Sequence, residues 1–235
     1  VHSLSQYATD DYEAARATLH QFVGASAEHE LVFTSGTTES LNLVAQGLWA
    51  GGPDQAWLRA GDEIIVSGLE HHANLLPWQQ AARQSGAVLR ILRPDAQGRL
   101  HVADLQALLS PRTRVLALTA SANATGDRPP FEELLRMAAQ AGALTVLDAA
   151  QAAAYAMPAL AHIDCDFLAF SGHKMHGPMG MGALVGRRAA LELLYPLRLG
   201  GDMVEDVSYE RARYAALPMR LEGGTPNVAG AVGLA

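Results

Sequence analysis

Apolar residues recur along this chain at two spacings, and the alternation between them predicts an α/β layer fold with a mainly parallel sheet. Tyr12, Ala15, Leu19, Phe22 and Val23 share one helical face, and Leu41, Val44, Ala45 and Leu48 share another. Short apolar runs read as strands: Glu30–Thr34, Glu63–Val66, Val88–Leu92, Arg114–Leu118, Leu144–Leu147, Phe167–Phe170 and Ala183–Gly186. Helices fill the gaps, including one that starts near Leu76-Pro77 and one over Phe131–Gln140, after the turn Asp127-Arg128-Pro129-Pro130. The helix opened by Ser35-Gly36-Thr37-Thr38 is broken by Gly51-Gly52-Pro53-Asp54. From about Leu199 to Gly224 the chain is irregular, rich in glycine and charge, and reads as loops. No repeat, low-complexity tract or linker divides it, so residues 1–235 are expected to form one domain.

Composition narrows the partners. Of 235 residues, 49% are hydrophobic and 17% charged, a balance that can fill a large core. The net charge is 17 − 24 = −7, with no basic face for nucleic acid. No apolar run approaches the roughly 18 residues that cross a bilayer, and no leader precedes the first helix, so a cytoplasmic protein is expected. The single cysteine, Cys165, has no partner for a disulfide. It sits in Ile163–Phe170, read as a strand entering the core, and is expected to be a buried structural thiol. Both ends read as cut. The chain starts at Val1 without methionine and stops in the apolar stretch Val228–Ala235 with no helix stop signal, so a fragment is expected.

Polar clusters stand where the strands end: Ser35–Thr38, Glu70–Asn74, Asn123, Asp148 and Ser171–Lys174. Ligands of open α/β sheets bind beyond the carboxyl ends of strands. Two of these clusters explain each other. Thr145–Gln151 is an apolar strand that stops at Asp148, with Gln151 three residues on, and Ser171-Gly172-His173-Lys174 follows the next strand. An amine, a carboxylate and an amide are what a protein needs to hold pyridoxal 5'-phosphate (PLP). The lysine forms a Schiff base with the aldehyde, and the aspartate keeps the ring nitrogen protonated. Lys174 is the only charged residue from Phe167 to Gly186, histidines aside, and burial is expected to depress its pKa.

The other residues fit the same cofactor, each beside a plainer role. Asp148 could simply cap a helix over Ala149–Gln151, and Gln151 could face solvent rather than the phenolic oxygen. Thr37 and Thr38, at a helix start next to Gly36, suit a phosphate dianion as well as an N-cap. Ser171 and His173 would add a hydroxyl and an imidazole. Of the pair His71-His72, one ring can stack on a planar cofactor and move a proton. Zinc is disfavoured, because adjacent side chains rarely share one ion and no further ligands complete a set. Asn123 is a turn residue or a contact to cofactor or substrate.

These motifs resemble the class V aminotransferase superfamily of fold-type I PLP enzymes, and within it the group II cysteine desulfurases and selenocysteine lyases. The resemblance runs from Val1–Ser5 to Glu222–Asn227. It is most specific in Glu70–Pro77 (EHHANLLP), Ser171–Lys174 (SGHK) and Gly224–Asn227 (GTPN). It implies a three-layer, aspartate aminotransferase-like large domain. Lys174 becomes the Schiff-base lysine and proton shuttle, Asp148 the partner of the ring nitrogen, Gln151 that of the ring hydroxyl, and His71 the stacking ring. Thr37, Thr38, Ser171 and His173 hold the phosphate, with Asn123 near the ring or the substrate carboxylate. Thr225 reaches the phosphate of the neighbouring subunit, which implies a homodimer. The implied reaction takes sulfur from L-cysteine, leaves alanine and an enzyme persulfide, and passes the sulfur to an acceptor protein for iron–sulfur cluster assembly or related pathways.

The sequence departs from the pattern at Ala149, where glycine is usual, at Met175-His176 in place of leucine and tyrosine, and at Ala122 in place of serine. The family's nucleophilic cysteine and carboxylate-binding arginine belong to a C-terminal small domain beyond these residues, and Cys165 is wrongly placed to substitute. Another class V activity (transaminase, amino-acid lyase or epimerase) and a non-catalytic fragment stay open as alternatives.

Overall fold

A computed structural model describes residues 2–51, 55–157, 159–163 and 165–235. The helix break at Gly52–Asp54, Val1 of the N-terminal motif and Asp164 of the Cys165 stretch lie outside the described residues. Helix α1 (Ser3–Phe22) leads into strand β1 (His29–Thr34) and α2 (Thr37–Trp49). Then follow β2 (Glu63–Ser67), α3 (Leu76–Ser85), β3 (Val88–Leu92), α4 (Val102–Leu108), β4 (Thr113–Thr119), α5 (Phe131–Gln140) and β5 (Leu144–Asp148). The rest comprises α6 (Ala153–Ala156), β6 (Phe167–Ser171), β7 (Gly182–Arg187), α7 (Arg188–Leu191), a hairpin of β8 (Val204–Val207) and β9 (Ala212–Tyr214), and α8 (Val228–Leu234).

Seven strands form one sheet in the order β1-β7-β6-β5-β4-β2-β3. The strands from β6 to β3 are mutually parallel, and β7 runs antiparallel to both its neighbours. Because side chains alternate across a strand, each strand feeds two cores. Ile65, Leu116, Leu118, Leu147 and Leu168 meet α1, α4 and α5 on one face. Ile64, Val66, Val115, Ala117, Val146 and Ala169 meet α2 and α3 on the other, around Trp78. Sheet between two helical layers is the three-layer α/β arrangement.

Four expectations need correcting. Phe22 is 48% exposed, because at roughly 100° per residue it falls at the margin of the stripe made by Tyr12, Ala15, Leu19 and Val23. Arg16 takes the place within that stripe and is buried. The strand expected to contain Cys165 begins only at Phe167, although the thiol is fully buried. The segment read as loops contains the β8–β9 hairpin, whose residues are mostly exposed and so show no apolar run. Ala149–Gln151 form a turn, and the helix starts at Ala153.

Candidate active site

Parallel strands place the residues that follow them along one edge of the sheet. Thr119 pairs with Asp148 in register, and Ser171 and Thr34 both pair with Gly182. Beyond that edge opens a cavity of about 170 Å³ lined by nine of the ten residues singled out from the sequence: Thr37, Thr38, His71, Asn123, Asp148, Gln151, Ser171, His173 and Lys174. Thr225 is not among them. It lies exposed on a separate cavity of about 180 Å³, between Ser35 and Glu222.

Asp148 closes the cavity floor. It is 3% exposed, and one carboxylate oxygen accepts the Ala150 N–H at 2.9 Å. No hydrogen bond among the described residues reaches the other oxygen. Burial pushes its pKa up, against the Ala150 amide and the nearby charges of His71 and Lys174. Lys174 lies in the 3-10 turn Gly172–Met175 that follows β6. The turn lifts its amine to the mouth, where the side chain is exposed and forms no hydrogen bond or ion pair among the described residues. The expected burial of this lysine is therefore not met: the sheet edge gives way to an open mouth.

At the start of α2 the Thr37 N–H donates to Ser171 Oγ at 2.8 Å, and the two hydroxyls lie 2.8 Å apart. This ties the helix to the end of β6. Among the described residues, the next two amides of the first turn, Thr38 and Glu39, have no acceptor, whereas Ser40 N–H returns to Gly36 O at 3.1 Å. Two free amides at the positive end of a 13-residue helix suit a phosphate. Gly36 allows the approach. Its φ is +146°, and a Cβ there would meet Ser171 Oγ at 3.0 Å.

His71 is exposed at the rim and caps the 3-10 turn His72–Asn74, its Nδ1 accepting the Ala73 N–H at 3.1 Å. In the neutral ring the proton thus sits on Nε2. The side-chain amides of Asn123 and Gln151 meet across the mouth, Gln151 Nε2 donating to Asn123 Oδ1. Sequence reasoning missed Thr119 and Ser121, which also line the cavity, and gave no role to Glu70. The Glu70 carboxylate accepts the Thr119 N–H at 2.8 Å, the Asn74 side-chain amide at 2.6 Å and the Ser67 hydroxyl. Its place three residues beyond β2, beside the other strand-end clusters, was the available signal.

The donor set fits PLP. Asp148 offers an unpaired acceptor to a ring nitrogen, Lys174 a free amine to an aldehyde, and the start of α2 free amides to a phosphate. His71 stands at the rim with a flat ring. A metal is a poorer match, since no group of three or more His, Cys, Asp or Glu that could hold one occurs among the described residues.

Comparison with known proteins identifies the family. The chain is 43% identical over 234 residues to a probable cysteine desulfurase of Vibrio cholerae, covering 100% of this chain and 57% of that protein. It superposes on the cysteine desulfurase CsdA (S-sulfonic acid) of Escherichia coli with a TM-score of 0.90 and 42% identity, over 100% of this chain and 58% of that one. The apo cysteine desulfurase of Thermococcus onnurineus gives 0.91 and 40%, over 100% and 57%. The chain thus spans a little over half the length of these relatives. It matches the family described as Aminotransferase class-V over residues 1–235, and it belongs to that family.

Proposed function

We propose that residues 1–235 are the PLP-binding large domain of a cysteine desulfurase that works as a cytoplasmic homodimer. The observation that carries this reading is the cavity shared by Asp148 and Lys174, where among the described residues one Asp148 oxygen and the Lys174 amine have no hydrogen-bond partner. The relatives' name supports the choice of reaction within the family.

When bound, PLP would serve as the electron sink that lets a Cα–H bond break. Asp148 would hold the proton on the ring nitrogen, and the Thr38 and Glu39 amides would hold the phosphate, with Ser171 and His173 beside them. Gln151 would donate to the ring hydroxyl and His71 would cover the ring face. Lys174 Nζ would take the Cα proton of L-cysteine and return a proton to the product. A thiolate then attacks the substrate sulfur, so that cysteine plus thiol become alanine plus persulfide, with no outside oxidant.

Cys165 cannot supply that thiolate. Burial pushes its pKa up to about 12, and the thiol donates to Phe167 O at 2.9 Å. The attacking cysteine therefore belongs to a part of the protein outside these residues, and a sulfur-acceptor protein would unload it. Thr225, exposed and away from this chain's cavity, would serve a phosphate held by a second copy.

The test is to load the chain with PLP, reduce with borohydride and map the adduct by peptide mass spectrometry. A single pyridoxyl group on Lys174, absent in Lys174→Ala, is expected. A folded chain that carries none there overturns the reading.

A further inference from the structure

Glu70 has an environment that a merely solvated carboxylate would not need. It keeps some surface as a residue, yet its two oxygens are enclosed by Thr119 N–H, the Asn74 side-chain amide and the Ser67 hydroxyl, with no cation in contact among the described residues. Asn74 is fully buried, and its Oδ1 accepts the Trp78 Nε1–H at 3.0 Å. An indole nitrogen only donates, so Asn74 cannot flip, and its amino group must face Glu70. A backbone amide likewise only donates. Two of the three contacts therefore demand acceptor oxygens, one on each side of the carboxyl group.

These bonds enclose the segment that carries His71. Glu70 and Asn74 are four residues apart, and their side chains close a ring around His71, His72 and Ala73. The bond to Thr119 pins the ring to the end of β4, next to Asp148 in register. Through Trp78, which is fully buried, the other end is anchored in the core. The imidazole is thus fixed at the cavity rim by its neighbour's carboxyl group, and by its own bond to the Ala73 N–H.

We infer that Glu70 is a positioning residue of this site, whose carboxyl group holds the His71 ring against the cofactor cavity. This rests on reading the cavity as a PLP site. The substitution Glu70→Gln is nearly isosteric but supplies one acceptor oxygen, and its amino group would oppose that of Asn74. Adding Asn74→Asp reverses the sense of that bond and restores both acceptors.

In the PLP-loaded chain, Glu70→Gln is expected to weaken PLP binding about tenfold, the scale of a buried donor left without its acceptor. It should also diminish the visible circular dichroism of the bound cofactor. The Glu70→Gln/Asn74→Asp pair should return to within about twofold of the parent, and Glu70→Gln should add less than about twofold in a His71→Ala background. A full tenfold loss in that background overturns the inference, because Glu70 would then act without His71. So does a folded double variant as weak as the single one. A parent chain that binds no PLP sinks the cofactor reading instead. The tether is then judged by hydrogen exchange of the Ala73 amide, which should lose protection in Glu70→Gln and regain it in the pair. Unchanged protection overturns it.

Discussion

Arg16 Nη1 and Glu222 Oε1 lie 2.7 Å apart although 206 residues separate them, and together they cover the free edge of β1. Arg16 also donates to Leu31 O at 2.7 Å, and Glu222 accepts the Phe33 N–H at 2.6 Å. Those two backbone groups are what another strand would pair with, so two side chains stand in for a strand on the outermost position of the sheet. Tyr12 adds its hydroxyl to Glu222 at 3.1 Å.

Removing Glu222 should therefore cost more than a surface pair. In Glu222→Ala, the Arg16 guanidinium stays buried without its main counter-charge, and the Phe33 amide loses its acceptor. Urea unfolding should show a loss of about 3–5 kcal/mol, the usual result of breaking one side of a buried pair. Light scattering should rise as the β1 edge opens.

The bond between Thr37 N–H and Ser171 Oγ leads to a second expectation. Ser171→Ala leaves that amide and the Thr37 hydroxyl without a partner in a buried place. Stability should fall by about 1–3 kcal/mol in denaturant titration. Inorganic phosphate should also compete less well against PLP, because the start of α2 is no longer held to β6.

Most of the sheet was legible because its strands are apolar on both faces, and their ends carry the polar clusters. All seven strands of the sheet were found to within two residues at either end, since Gly, Pro and polar residues bound them. The β8–β9 hairpin was not, because Glu205, Asp206 and Val207 all face outward and leave no pattern to read. The cavity's membership was legible for the same topological reason as the sheet. What stayed hidden were contacts that close only in three dimensions. Glu70 is held by a backbone amide 49 residues away, and an amide leaves no mark in a sequence. The open setting of Lys174 was equally invisible, because it depends on where the turn after β6 lifts.

Glu70 also predicts a pH dependence. Burial, with the Asp148 charge nearby, raises its pKa from 4.5 to about 8, against the hydrogen bonds from Ser67, Asn74 and Thr119. The folded chain therefore binds this proton more tightly than the unfolded chain. The associated stability is complete below pH 4.5 and is lost as pH rises towards 8. Asp148, also raised by burial, acts in the same direction. Unfolding free energy of the cofactor-free chain should fall by up to about 1.4 kcal/mol per pH unit in this window on account of Glu70. The slope should flatten in Glu70→Gln when urea titrations are compared at several pH values.

Cys165 should be silent in the native chain. It is fully buried, its pKa is lifted to about 12, and its thiol is engaged with Phe167 O. A disulfide reagent such as DTNB should titrate no thiol until denaturant is added, and then one. Rapid native labelling would contradict the enclosed position at the entry to β6 and reopen Cys165 as a sulfur carrier.

Gly182 on β7 packs backbone to backbone against Gly36 at the start of α2. A Cβ on Gly182 would come within 2.6 Å of Gly36 Cα and would also strike Phe170 O. Both obstacles are backbone, so no side chain can turn aside to relieve them. Gly182 also stands in register with Thr34 and Ser171, the residues from which the phosphate-facing segments depart. Gly182→Ala should therefore push β1 and its Ser35–Thr38 exit away from β6 and stretch the Thr37–Ser171 bond. The expected result is a folded but weaker chain, down by about 1–3 kcal/mol, the usual cost of overpacking. PLP retention on gel filtration should fall further than in Gly201→Ala, where a Cβ meets nothing within 4 Å and the backbone is not left-handed. Equal retention in the two would mean that the glycine contact does not set the phosphate end of the cavity.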